Sequence, residues 1–108
     1  MLAKKYRLSR QEINLLKKTK TEVIQGQFFG LVAQSIGQEA KFGLIISNKV
    51  LSGAVKRVLV KRRLYLAIEK INWQKPGHFL FLAKKTAYIV GLVELEKEVK
   101  EILKKIPF

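Results

Sequence analysis

Apolar and polar positions alternate along this chain with two different periods, and the switches between them mark out its elements. Ile13, Leu15 and Leu16 supply a short apolar face over residues 9–20. Ser9 stands three residues before Glu12, the spacing of a capping box in which each side chain satisfies the other's backbone N–H. Lys17, Lys18 and Lys20 suit the negative end of a helix dipole. Residues 26–35, with Phe28, Phe29, Leu31 and Val32, predict a strand. A turn at Ile36-Gly37-Gln38-Glu39 separates it from a second strand over 41–47. There Phe42, Leu44 and Ile46 face one way and Gly43, Ile45 and Ser47 the other. The short connection predicts a hairpin.

A second helix is expected over 52–71, with Ser52 as its N-cap. At 100° per residue, Val55, Leu59 and Leu66 share one face. That face is expected to pack on a sheet. Arg57 and Lys61 fall nearly opposite, close to Ala54 and Tyr65. Arg62 sits near the apolar stripe, and Val60 and Leu64 fall off it. Pro76-Gly77 breaks the pattern. Residues 79–83 predict a third strand, with Phe79 and Phe81 on one side and Leu80 and Leu82 on the other. Residues 86–90 fit a fourth short strand or an extended linker. The last helix, 92–105, has the cleanest period: Leu92, Leu95, Val99, Ile102, Leu103 and Ile106. Its glutamates crowd the first half and its lysines the end, as the macrodipole prefers. The order α-β-β-α-β-(β)-α implies one α+β domain over residues 1–108, with helices on one face of a mostly antiparallel sheet.

Charge changes this picture from a fold to a binding protein. The 108 residues carry a net charge of +14. Residues 92–108 are neutral, with four lysines against four glutamates, so the whole excess lies in 1–91. Residues 49–63 hold six lysines and arginines and no acid. Such self-repulsion destabilises a compact chain unless a polyanion relieves it. Nucleic acid is the usual one, since each neutralised phosphate releases counterions. No apolar run approaches the roughly 20 residues of a membrane span, and MLAKKYRLSR lacks the apolar core of a signal peptide. A cytoplasmic location is expected, with no membrane partner.

Catalysis by the chain alone is not expected. It has no Asp, no Cys and one histidine, His78. Four of its eight glutamates share the last helix, and Glu12, Glu22, Glu39 and Glu69 are scattered, so clustered metal ligands or a triad are not in view. Aromatic residues are the other candidate chemistry. Phe28 and Phe29, adjacent on a strand, face opposite sides, which leaves one to stack on an unpaired base. Phe79 and Phe81 are assigned to the core.

The arrangement resembles the bacterial ribonuclease P protein subunit along nearly its whole length. A basic segment ending in Arg7-Leu8 precedes a short helix, and Phe28 and Leu31 follow on a strand. FGLIISNKV at 42–50 is similar to the family's R-x-G-x-x-V-S-K-K stretch, with Gly43, Ser47 and Lys49 in place. Ala54, Arg57, Lys61 and Arg62 keep the spacing of its A-x-x-R-N-R-x-K-R helix, and FLFLAKKTA at 79–87 is similar to its A-R-K-P-A strand end. The departures are Val58 and Leu59 for the central Asn-Arg, Tyr65 for a further arginine, and Thr86 for proline. Ile13 and Leu16 stand near the places of aromatic residues on the family's first helix.

The resemblance implies a ribosomal protein S5 domain 2-like fold with a left-handed βαβ crossover around the basic helix. It also implies a function. The protein would be the non-catalytic subunit of a ribonucleoprotein endoribonuclease that removes the 5′ leader of precursor tRNA, with Mg²⁺ held mainly by the RNA subunit. Lys49, Ala54, Lys56, Arg57, Lys61, Arg62, Arg63, Lys84 and Lys85 are then expected to meet RNA. Ile13, Leu16, Phe28, Phe29 and Leu31 are expected to meet the leader. The partners are the catalytic RNA and precursor tRNA, and DNA is not expected. A ribosomal or other structural RNA-binding protein is the rival reading of the same charge and fold class.

Overall fold

The computed structural model describes residues 4–18, 22–46, 49, 51–71, 73 and 75–108. Helix α1 spans Arg10–Lys18, followed by strands β1 (Ile24–Gln25), β2 (Phe29–Gln34) and β3 (Ala40–Ile45). Helix α2 spans Ala54–Lys70, strand β4 Gly77–Ala83 and helix α3 Leu92–Lys105. Short 3-10 turns occupy Lys4–Tyr6 and Lys85–Ala87. The predicted ends of the first helix at 20 and of the second strand at 47 lie outside the described residues. The expected box caps α1: the Ser9 N–H donates to Glu12 Oε1 at 2.8 Å and the Glu12 N–H to Ser9 Oγ at 3.2 Å.

The sheet order is β1-β2-β4-β3. Strand β4 pairs antiparallel with β2 and parallel with β3. The predicted β2–β3 hairpin is therefore wrong. The turn at 36–39 only reverses the chain, and β4 enters between the two strands it joins. Once β3 and β4 run parallel, α2 becomes the crossover of a βαβ unit. Residues 86–90 form no strand: a 3-10 turn at Lys85–Ala87 leads straight toward α3.

Alternation along the strands gives the sheet two different faces. Phe29, Leu31, Ala33, Phe42, Phe79 and Phe81 join the larger core beneath α2 and α3. Trp73 closes it, with its ring 4.8 Å from Phe79 and 5.2 Å from Phe42. Among the described residues, the buried hydrophobic side chains of the opposite face are Leu8, Leu16, Val32 and Leu80, with Ile13, Ile45 and Leu82 half-covered. Helix α1 lies there. Helices thus sit on both faces, not one as the sequence order suggested. Lys41 and His78 from the sheet both reach the Glu12 carboxylate of α1, at 3.1 and 3.5 Å.

Helix α3 also holds the β1–β2 turn. Both Glu98 oxygens accept the Phe28 N–H, at 2.9 and 2.8 Å, and Oε2 accepts the Phe29 N–H at 3.0 Å. The Gln27 N–H donates to Oε1. Gly26 makes room for this: a Cβ there would stand 2.8 Å from the Glu98 carboxylate and from the Phe29 carbonyl oxygen.

Candidate RNA-binding interface

The basic helix α2 starts at Gly53, whose φ of 95° favours glycine, and no side chain caps it. Ser52 is thus not the N-cap. Buried residues are Val60, Leu64, Tyr65, Ala67 and Ile68. Val55 is 75% exposed and Leu66 39%, and Leu59 is half-buried, so the stripe expected to pack on the sheet faces mostly outward. The periodicity separates two stripes, and the structure exchanges their expected roles. Apolar residues occur on both sides of α2, and the side that wins carries the longer series, 60, 64, 67 and 68, with Tyr65 beside it.

This rotation relocates the cations. Arg57 and Lys61 lie on the same side as Leu64 and Ile68, one and two turns before them, where the sheet ends at β3. They are half-buried and, with Leu44, Ile46, Ala54 and Val58, line a cleft of about 340 Å³. Their aliphatic stems cover apolar surface while the charges reach the rim. Tyr65 lies under two cations: Lys61 Nζ is 5.8 Å and Arg7 Cζ 5.9 Å from its ring centre. Burial pushes its phenol above the usual tyrosine value, and Arg7 opposes that shift. On the outer side Ala54, Val55, Val58, Leu59 and Arg62 border a second recess of about 310 Å³.

The other predicted RNA-binding residues fall into two groups. Lys49, Ala54, Lys56, Arg62 and Lys85 are exposed, and Lys56 also stands 5.3 Å from the Tyr88 ring centre. Arg63 and Lys84 have structural partners instead. One Arg63 nitrogen donates to the carbonyls of Tyr88 and Val90 at 2.8 and 3.3 Å, which ties the segment before α3 to α2. Lys84 Nζ donates to the Gly26 carbonyl at 2.5 Å and helps hold the β1–β2 turn. Assigning these two to RNA on charge alone overlooks the backbone carbonyls that occupy them.

The residues expected to meet the leader do not assemble as one surface. Phe29 and Leu31 are fully buried in the larger core, and Leu16 of α1 is 1% exposed against the sheet's other face, so none of the three can meet RNA. Phe28 is half-buried on the turn bound by Glu98, in a groove of about 400 Å³ beside α3 that Gln25, Lys97 and Lys105 also line. Only Ile13 stands at the half-open sheet face. Register places Gly30, Leu82 and Ile45 in one row across β2, β4 and β3, and Ile45 and Leu82 stay half-exposed there. Sequence reasoning misses this row. The alternation of Leu80 and Leu82 against Phe79 and Phe81 is its signal, but the row is visible only when α1 is known to cover half that face.

Among the described residues no three His, Cys, Asp or Glu side chains group to hold a metal ion. No helix among them is long and apolar enough to cross a membrane.

The sequence model of the ribonuclease P family matches residues 2–107. No curated protein matches the chain. Among solved structures, the ribonuclease P protein of Thermotoga maritima is 18% identical and covers 94% of this chain and 98% of its own, with a TM-score of 0.81. The ribonuclease P protein of Staphylococcus aureus is 17% identical and covers 94% and 95%, with a TM-score of 0.79. At these identities the likeness shows a shared fold.

Proposed function

The chain belongs to the ribonuclease P protein family, which gives it a role in tRNA processing as a protein of ribonuclease P, and we propose the following division of labour. The active centre lies in the RNA partner. The protein docks on that RNA through α2 and guides the 5′ leader of precursor tRNA across the half-open sheet face beside α1.

The observation that carries this reading is the pairing of two unlike surfaces on one small sheet. Helix α2 offers Arg57 and Lys61 near the β3 edge, with exposed Lys56 and Arg62 on the same helix. The α1 face offers Ile13, Ile45 and Leu82, a narrow apolar floor suited to unstacked bases. Cations beside two RNA strands lower their mutual repulsion and so the Mg²⁺ needed to hold them together. The protein's own donors do not fit Mg²⁺. Hard divalent ions take several oxygen ligands, and Glu12, the carboxylate nearest the α1 face, is already paired with Lys41 and His78. No step of this reading passes through a protein-bound metal.

Two measurements test it. Arg57→Ala with Lys61→Ala should weaken binding to the catalytic RNA and lower the salt slope by about two, one for each phosphate no longer neutralised; an unchanged slope refutes the docking face. Protein freed of RNA should leave precursor tRNA intact, yet let the cognate RNA cleave it at lower Mg²⁺. Cleavage by the RNA-free protein would overturn the proposal.

A further inference from the structure

The cleft between β3 and the first turns of α2 offers more than phosphate docking uses. Leu44, Ile46, Ala54 and Val58 make its apolar lining, and the half-buried Arg57 and Lys61 complete it. At about 340 Å³ it lies at the small end of ligand pockets, which run from about 300 to 1,000 Å³. A second helix does not fit such a volume, and a base-paired duplex keeps its bases stacked out of reach.

A third element comes from the edge of the sheet. Arg7 forms a parallel bridge with Phe42, and the Leu8 N–H donates to the Phe42 carbonyl at 2.8 Å. Phe42 therefore turns its N–H and C=O away from β4. Alternation along the strand gives Leu44 the same orientation. Among the described residues no strand pairs with the outer edge of β3 beyond that bridge. One backbone donor and one acceptor thus stand at the lip of an apolar cleft that two cations complete.

We infer that this cleft binds a single unstacked nucleotide from the bound RNA, with its base on Leu44, Ile46 and Val58 and its phosphates on Arg57 and Lys61. The Leu44 backbone reads the edge of the base as a sheet edge reads a strand. Single-stranded loops and bulges present such splayed bases, and an arginine plane can stack on them. An aliphatic ligand would leave the strand edge and both cations unused. An acidic peptide would use the cations but has no planar group for the apolar lining. The inference rests on α2 being the RNA-docking element, and its test separates the two.

Ala54→Leu with Val58→Met fills the cleft and adds neither charge nor ring; both positions are exposed, so folding should be unchanged. The expected result is about tenfold weaker binding to the catalytic RNA with the same salt slope. Wild-type affinity in this variant, with weakened binding by Arg57→Ala/Lys61→Ala, overturns the nucleotide site and leaves the docking face standing. Wild-type affinity in both overturns the docking face too. Amide spectra supply an independent readout. A 5′-phosphorylated dinucleotide should move the Leu44 and Ile46 signals, and ribose 5-phosphate should not. Equal shifts with ribose 5-phosphate or with an oligoglutamate peptide, or no shift at Leu44, refute a base in the cleft.

Discussion

Helices α2 and α3 pack side by side on the same face of the sheet, yet their sequences behave as opposites. In α3 every large apolar residue of the periodic series is buried or half-buried, and the charges cancel. In α2 apolar residues surround the axis and the charges are all positive through its first two-thirds. A helix whose apolar residues fit one stripe has only one way to sit. A helix with two candidate stripes has two, and periodicity alone does not choose between them. The stripe left outside on α2, Val55 and Leu66 with Arg62 among them, is surplus to packing. Surplus apolar surface beside cations is what a binding face needs, and on α3 it shrinks to Val93, which lies outside the periodic series.

The largest effect expected from this contrast is on stability. Leu64→Ala, on the buried side of α2, should cost about 2–5 kcal/mol in denaturant unfolding, and Leu95→Ala in α3 about as much. Val55→Ala and Leu66→Ala should each stay within roughly 0.5 kcal/mol. Equal costs on the two sides of α2 would break the comparison. Next comes the carboxylate anchor that α3 provides, where α2 uses the Arg63 guanidinium on backbone carbonyls. Glu98→Gln weakens several charge-assisted bonds to backbone N–H groups and should cost about 1.5–3 kcal/mol. Glu101→Gln, at an exposed pair with Lys104, should be nearly silent.

Helix α1 supplies a smaller calibration. Ser9→Ala should cost about 1 kcal/mol. The Ser9 backbone N–H beside Glu12 holds its carboxyl below the usual glutamate range, and Lys41 acts in the same direction against the cost of burial. A depressed folded value means that the stabilisation is present above the unfolded value, about 4.3, and lost as pH falls through the folded one. Glu12→Gln should therefore narrow the stability gap to wild type only in that acid range, as followed by thermal melts against pH. Smallest of all on folding is Arg62→Ala, which should leave unfolding unchanged and lower the salt slope of RNA binding by about one. Lys104→Ala on α3 should leave both unchanged.

How much of this is legible in the sequence follows the same division. The capping box, α3, the two faces of β4 and the α+β class rest on local signals, and each stands in the fold. Strand pairing is not local. Nothing between Gln34 and Ala40 says that β4 will separate β2 from β3, because that choice depends on a segment some forty residues later. The rotation of α2 depends on which side meets the sheet, again a tertiary fact. The site suffers from both. Arg57 and Lys61 stand out by charge and spacing and do line a cleft. Phe29, Leu31 and Leu16 stand out as apolar residues near a surface and are the core itself. Arg63 and Lys84 show why charge alone misleads, since a cation serves a nearby carbonyl as readily as a distant phosphate.

The central place of β4 governs how the chain comes off the ribosome. Both long inner ladders of the sheet run through a strand that ends at Ala83. At about 5–20 residues per second, the stretch from Ile45 to Ala83 takes roughly 2–8 s to make. Throughout that interval β2 and β3 have no shared partner, and Phe29, Leu31 and Phe42 have no aromatic row from β4 to pack on. Synthesis therefore delivers no stable half-domain. Folding waits for one late strand and then proceeds as a single event, with the positive charge of the earlier residues keeping unfinished chains apart in the meantime.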